Sequence, residues 1–262
     1  MNATPRPGQR YAALGSSFAA GPGIRPRVAP APRRAGRSRR NYAHLLAERL
    51  GLELHDVTCS GAAAAGMRGA TAEGPGQVEA LTRDTALVTV TCGGNDVGYV
   101  GALTLASLPR PVLGLPAVRR RLDAMMSASD ERFTALPETL DRLYAAIRER
   151  APEATLVVVD YLTILPPPGR PARPVSPEVH GWGLEVAARL EEETAAAARR
   201  AGAVLVRAGA ASQGHHAWSD EPWTSHKVLN GGEGGFLHPT AAGMAAEASL
   251  VAEALAGEPG RM

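Results

Sequence analysis

Four short segments carry side chains that together can run acyl transfer: Gly15-Ser16-Ser17-Phe18, Cys59-Ser60-Gly61-Ala62, Gly93-Gly94-Asn95-Asp96 and His238-Pro239. That chemistry needs a hydroxyl nucleophile, an imidazole to take its proton, and N–H donors aimed at the developing oxyanion. Ser17, His238, the Gly61 amide and the Asn95 side-chain amide make up the full set. Singly, each has a bland reading; a serine at a strand end is most often a helix cap. Four suitable groups at four convergent positions are what carry the argument. Such a site calls for neither a metal nor an organic cofactor.

Convergence requires a scaffold, and the hydrophobic pattern provides one. Five apolar runs read as buried strands: Tyr11–Leu14, Leu52–Thr58, Ala86–Thr91, Ala154–Val159 and Ala203–Arg207. TLVVVD and ALVTVTC are apolar on both faces, as in a parallel sheet covered by helices. Helical patterns fall between the runs. NYAHLLAERLG ends at Gly51 as a C-cap, and a long amphipathic stretch starting at Pro177 ends at Gly202. A C-terminal helix is expected with Pro239 in its first turn, and residues 113–150 should hold two helices divided near Pro137.

The alternation predicts an α/β chain: a single domain over residues 1–262, folded as a three-layer α/β/α sandwich on a five-stranded parallel sheet. Sites in such sheets lie outside the carboxyl ends of the strands. Three of the four segments follow predicted strands, and His238 opens the last helix. Gly21–Arg40 and Gln213–Gly235 fit no regular pattern, and long loops in compact domains are usually functional or disordered.

Composition narrows the partners. Hydrophobic residues make up 45% and charged residues 21% of the chain, ordinary for a globular protein, and a formal net charge of +2 does not imply nucleic-acid binding. Its distribution is uneven, because residues 1–47 contain no Asp or Glu while seven arginines crowd positions 25–40. One expectation is a flexible, solvated Arg/Pro-rich loop at about 21–40. The other is a rim near Ser17 that attracts anionic acyl substrates or lipid headgroups.

No apolar run reaches membrane-spanning length, so no integral membrane segment is expected. The opening MNATPRPGQRY lacks the apolar core of a leader, so the expected location is cytoplasmic, or secreted if the native chain begins further upstream. Cys59 and Cys92 have no metal-like spacing and read as packing thiols near the site.

With these segments in order across nearly the whole chain, the sequence resembles the SGNH, or GDSL-type, hydrolase superfamily, in its actinobacterial esterase-like form. The first block of that family, Gly-Asp-Ser-Leu/Phe, matches Gly15-Ser16-Ser17-Phe18. Its second-block glycine matches Gly61, its Gly-x-Asn-Asp matches residues 93–96, and its Asp-x-x-His-Pro matches GFLHP at 235–239. The resemblance implies a flavodoxin-like sandwich and an ester hydrolase. It makes Ser17 the nucleophile and one oxyanion donor through its backbone N–H. Gly61 N–H and the Asn95 amide are the other donors, and His238 is general base and then general acid.

Two positions depart from the family pattern. Ser16 stands where the family has Asp, a supportive position. Gly235 stands where the triad Asp should be, so the Gly235 carbonyl, or one close to it, is expected to orient His238 in a Ser–His dyad. Asp220 is the side-chain alternative.

Against an α/β-hydrolase stand the serine's place near the N-terminus and the missing last glycine of the nucleophile elbow. His215, His216 and His226 read either as solvated loop residues or as a zinc site. Asp96 is expected to anchor its own loop, and Asp160 to cap or to border the pocket. The substrate class is small-molecule carboxylic esters, short-chain acyl or acetyl. The alternatives are a phospholipase or thioesterase of the same fold, or a catalytically silent ligand-binding domain.

Overall fold

A computed structural model describes residues 5–69, 76–227 and 231–257. Five strands, β1 (Arg10–Gly15), β2 (Glu53–Asp56), β3 (Thr85–Thr91), β4 (Thr155–Val159) and β5 (Val204–Val206), form one parallel sheet in the order β2-β1-β3-β4-β5. Central strands β1, β3 and β4 are buried almost throughout. Their near-continuous apolar runs are what a sheet covered on both faces demands. β2 and β5 are edge strands rather than the fully buried ones expected: β2 alternates exposed and half-buried residues, and only Val206 of β5 is buried. An edge strand has a neighbour on one side only, so part of its surface stays in water.

The helices are α1 (Ser17–Ala20), α2 (Tyr42–Leu50), α3 (Ala64–Met67), α4 (Tyr99–Ala106), α5 (Arg110–Leu113), α6 (Pro116–Ser127), α7 (Ser129–Arg150), α8 (Pro177–Arg200), α9 (Ala208–Ala211) and α10 (Ala241–Ala256). α2 packs with α10 and α7 with α8, giving the two outer layers of a three-layer α/β/α fold. Local chemistry sets several ends. Asn41 accepts the His44 N–H at 3.0 Å to start α2, and Gly51, left-handed at φ 66°, stops it.

Two helix boundaries differ from expectation. α7 runs straight through Pro137, and the break falls at Ala128 instead. Phe133, Leu136, Leu140, Leu143, Tyr144 and Ile147 form a continuous buried stripe across the proline. Burial of that stripe outweighs the one backbone hydrogen bond a proline removes. Pro239 lies outside α10, which begins after Thr240; the Thr240 hydroxyl caps it by accepting the Gly243 N–H at 3.1 Å.

The arginine-rich segment is not a free loop. The Ser38 N–H donates to the Ala20 carbonyl at 2.9 Å, and the Arg25 N–H to the Gly232 carbonyl at 2.9 Å. Arg27 and Ser38 pair as an antiparallel bridge, and so do Ile24 and Glu233. Bonds within the loop and these few to neighbouring segments fix its path along the carboxyl edge of the sheet.

Candidate active site

In this strand order the connections from β1 and β3 leave in opposite directions, which opens a crevice between their carboxyl ends. Gly15-Ser16-Ser17 ends β1, and Gly93-Gly94-Asn95 follows β3, so two of the four segments flank that crevice. The chain reverses sharply after Gly15, whose φ is 143°. A Cβ there would lie 2.8 Å from both the Thr91 carbonyl oxygen and Ala19 Cβ. Only glycine fits.

The Gly15 backbone is held from outside the sheet. Gln77 Oε1 accepts the Gly15 N–H at 2.7 Å while Gln77 Nε2 donates to the Gly15 carbonyl at 3.1 Å. The same carbonyl accepts the Cys59 N–H at 3.0 Å, tying the second segment to the first. Ser16 donates its backbone N–H to Thr91 at 2.9 Å and is the extended N-cap of α1. Ser17 then occupies the first position of that single turn, 6% exposed.

Ser17 Oγ lies 2.8 Å from His238 Nε2. His238 Nδ1 lies 2.7 Å from the Phe236 carbonyl oxygen. A carbonyl can only accept, so Nδ1 carries the proton and Nε2 is left as the acceptor for the Ser17 hydroxyl. Burial lowers the imidazole's pKa below its ordinary 6.5, and the bond to the Phe236 carbonyl works in the opposite direction. The ring is therefore neutral at pH 7, in the tautomer a general base needs.

The expectation is the Gly235 carbonyl or one close to it, and the carbonyl on Nδ1 is a neighbouring one. It is the Phe236 carbonyl, one residue beyond Gly235, whose own carbonyl accepts the His238 backbone N–H at 3.2 Å. These bonds close a four-residue turn in which Leu237 takes φ 54°, the left-handed conformation glycine normally fills. Leu237 is held there by complete burial, and its N–H donates to the Ser225 carbonyl at 2.6 Å. Asp220 is exposed in the preceding loop, and no contact joins it to His238.

Asn95 Nδ2 donates to the Ala62 carbonyl at 2.9 Å, which links the third segment to the second and leaves its other N–H available. Gly61, at φ 83°, is exposed, and nothing lies within 4 Å of where a Cβ would be. Asp96 accepts the Ala64 N–H on both oxygens at 3.0 Å and so anchors the start of α3.

Tyr161 was not singled out by sequence, although it sits just past the end of β4, where strand-end residues gather. Its hydroxyl accepts the Gly94 N–H at 3.0 Å and lies 3.2 Å from Ser16 Oγ. Its ring packs on Phe18 at 4.6 Å between centroids, and Phe18 packs on His238 at 5.5 Å. Ser16, at the position where the family has Asp, thus connects to the Asn95 loop through one phenol. Gln77 was also missed, and no local pattern marks it.

The remaining expected residues take structural posts. Asp160 Oδ1 accepts the Gly209 N–H at 2.8 Å, and burial raises its carboxyl to about 7. His215 donates to the Glu221 carbonyl at 2.8 Å and stacks on Trp223, while His216 accepts the Trp218 N–H at 3.2 Å. His226 bonds to the Ala217 carbonyl and stacks on Trp218. Among the described residues, no three His, Cys, Asp or Glu side chains are grouped to hold a metal ion. Cys92 is buried and Cys59 only half-buried, both as free thiols.

Comparisons with known proteins point to one family. The family model for GDSL-like lipases and acylhydrolases matches residues 13–246. Lipase 2 of Streptomyces coelicolor is 31% identical over 246 residues, covering 89% of this chain and 81% of that protein. The crystal structure of an extracellular lipase from Streptomyces rimosus superposes with a TM-score of 0.77 at 26% identity, covering 94% of this chain and 99% of that one. Phospholipase A1 from Streptomyces albidoflavus gives the same TM-score of 0.77 at 25% identity, covering 96% and 100%. With the four segments in order on a three-layer sandwich, the chain belongs to the GDSL-like lipase/acylhydrolase family, the SGNH group of carboxylic ester hydrolases.

Proposed function

We propose that the protein cleaves carboxylic esters through an acyl-enzyme on Ser17, with His238 moving the proton. The observation that carries this reading is the 2.8 Å contact between Ser17 Oγ and His238 Nε2, with Nδ1 occupied by the Phe236 carbonyl. As Oγ attacks the ester carbon, the hydroxyl proton passes to Nε2 and negative charge moves onto the carbonyl oxygen. The donors for that charge are the Ser17 and Gly61 backbone N–H groups and the free N–H of Asn95. Collapse breaks the bond to the alcohol, which leaves with the proton from Nε2. Water then attacks the acyl-enzyme by the same route, and the carboxylic acid departs.

A carbonyl at Nδ1 fixes the tautomer as a carboxylate would, with less stabilisation of the imidazolium. A fluorophosphonate probe followed by peptide mapping tests the assignment. One adduct per chain on Ser17 is expected, lost in Ser17→Ala and kept in Ser16→Ala; labelling that follows Ser16 refutes it. The kcat/KM profile should fall on the acid side with a midpoint below 6.5, because burial lowers the His238 pKa and the base works only when neutral. A midpoint at or above 7 would contradict the buried neutral base.

Short-chain acyl or acetyl esters are the substrates proposed. Phospholipid hydrolysis is a second reading, supported by the likeness to a phospholipase A1. A p-nitrophenyl ester series measured beside phosphatidylglycerol separates the two.

A further inference from the structure

We infer that the loop from Arg25 to Arg40 is a docking surface for anionic phospholipid bilayers, set beside the active-site crevice. Its place follows from its anchors. The Ala35 carbonyl accepts both the N–H and the hydroxyl of Ser60 at 3.0 Å, one residue before Gly61. Arg37 Nε donates to the Thr58 carbonyl at 2.6 Å, and the Arg40 guanidinium lies 3.3 Å from the Glu233 carboxylate, close to the His238 turn. The loop begins at Gly21, the residue that ends the helical turn carrying Ser17. It therefore borders the segments of Ser17, Gly61 and His238 together.

Its outer part is both cationic and apolar. The Val28 N–H donates to the Arg37 carbonyl at 3.0 Å and the Arg39 N–H to the Pro26 carbonyl at 2.9 Å, so two arms present the stretch between them. That stretch opens with Val28-Ala29-Pro30-Ala31-Pro32, in which Ala29, Pro30 and Pro32 are exposed. Arg25, Arg27, Arg33, Arg34 and Arg39 are exposed around it. Among the described residues, none of Arg25, Arg27, Arg33 and Arg39 forms an ion pair.

The tip has no side-chain hydrogen-bonding group, and its two prolines have no N–H, so it offers little to read a base edge or a peptide. A small apolar tip ringed by guanidinium groups instead matches a bilayer interface, with phosphates for the arginines and the acyl boundary for the tip. No described helix is long and apolar enough to cross a membrane, so such contact would be peripheral.

Co-sedimentation with vesicles of phosphatidylcholine and phosphatidylglycerol at a 7:3 ratio, against phosphatidylcholine alone, tests the inference. The full chain should bind the anionic vesicles and release them when salt rises from 50 to 500 mM. The triple change Arg27→Glu, Arg33→Glu, Arg39→Glu should weaken binding by about a hundredfold. Its thermal midpoint and its kcat/KM on a soluble p-nitrophenyl ester should stay unchanged. Ala29→Trp should strengthen binding, with its emission shifting to the blue on vesicle addition.

Equal sedimentation of the triple variant, or no preference for anionic vesicles, overturns the inference. So does a parallel loss on the soluble ester, or arginine-dependent binding to a DNA duplex without binding to vesicles. Vesicle binding by a chain that fails to react with fluorophosphonate would refute the acyl-enzyme and leave the docking surface standing.

Discussion

The two ends of the Ser17–His238 contact are built in opposite ways. The serine sits at the end of a central strand, where sheet register, a bidentate glutamine and a glycine without room for a Cβ fix the backbone. The histidine sits on a long loop, held by a turn around a left-handed leucine and by backbone bonds to residues 223–225. Ser17 inherits its position from the fold. His238 is placed by a local turn that distant contacts hold in an unfavourable conformation, a cost of roughly 1–2 kcal/mol for a non-glycine residue.

The contrast breaks most severely on the serine side. Gly15→Ala puts a Cβ against the β3 backbone at a φ that alanine avoids, so a loss of about 2–5 kcal/mol in unfolding free energy is expected. Because Ser16 and Ser17 follow directly, kcat should fall with it, read by urea unfolding alongside ester hydrolysis. A variant of wild-type stability would mean that the strand end is softer than its geometry indicates.

Tyr161→Phe probes the bridge between the two sides of the crevice. It removes the hydroxyl that accepts the Gly94 N–H while leaving the ring on Phe18. About tenfold lower kcat with KM nearly constant is expected, since the oxyanion donor proposed at Asn95 would matter most once charge develops. A rise in KM alone would make Tyr161 a substrate contact. The smallest expected effect, and the most diagnostic, is the difference between two variants of the histidine turn. Both Leu237→Ala and Leu237→Gly lose the buried side chain, but glycine accepts the left-handed φ freely. Leu237→Gly should therefore be the more stable of the two by about 1 kcal/mol in denaturant titrations, the reverse of the usual order.

Much of this site could be read before any fold was known. The apolar runs located the central strands, because burial on both faces leaves a continuous signal in valine, leucine and alanine. The edge strands and helix breaks were read less well. Their limits depend on which neighbour covers them, as the stripe through Pro137 illustrates. Ser17 and His238 could be named and paired from sequence because their chemistry is distinctive and each abuts a strand end or helix start, and the structure brings them to 2.8 Å. Tyr161 and Gln77 could not, since a tyrosine and a glutamine become site residues only through what they touch.

The sequence by itself determined the kinds of group in the crevice and the absence of a carboxylate three residues before His238. Only the tertiary structure decided which atom replaces it. A carbonyl's direction is set by the φ and ψ angles of the residues around it. Here those angles are imposed by the burial of Leu237 and its pairing with Ser225, more than ten residues upstream. The same holds for the arginine segment: composition supplied its charge, and hydrogen bonds to Ser60, Thr58 and Gly232 placed that charge beside the crevice.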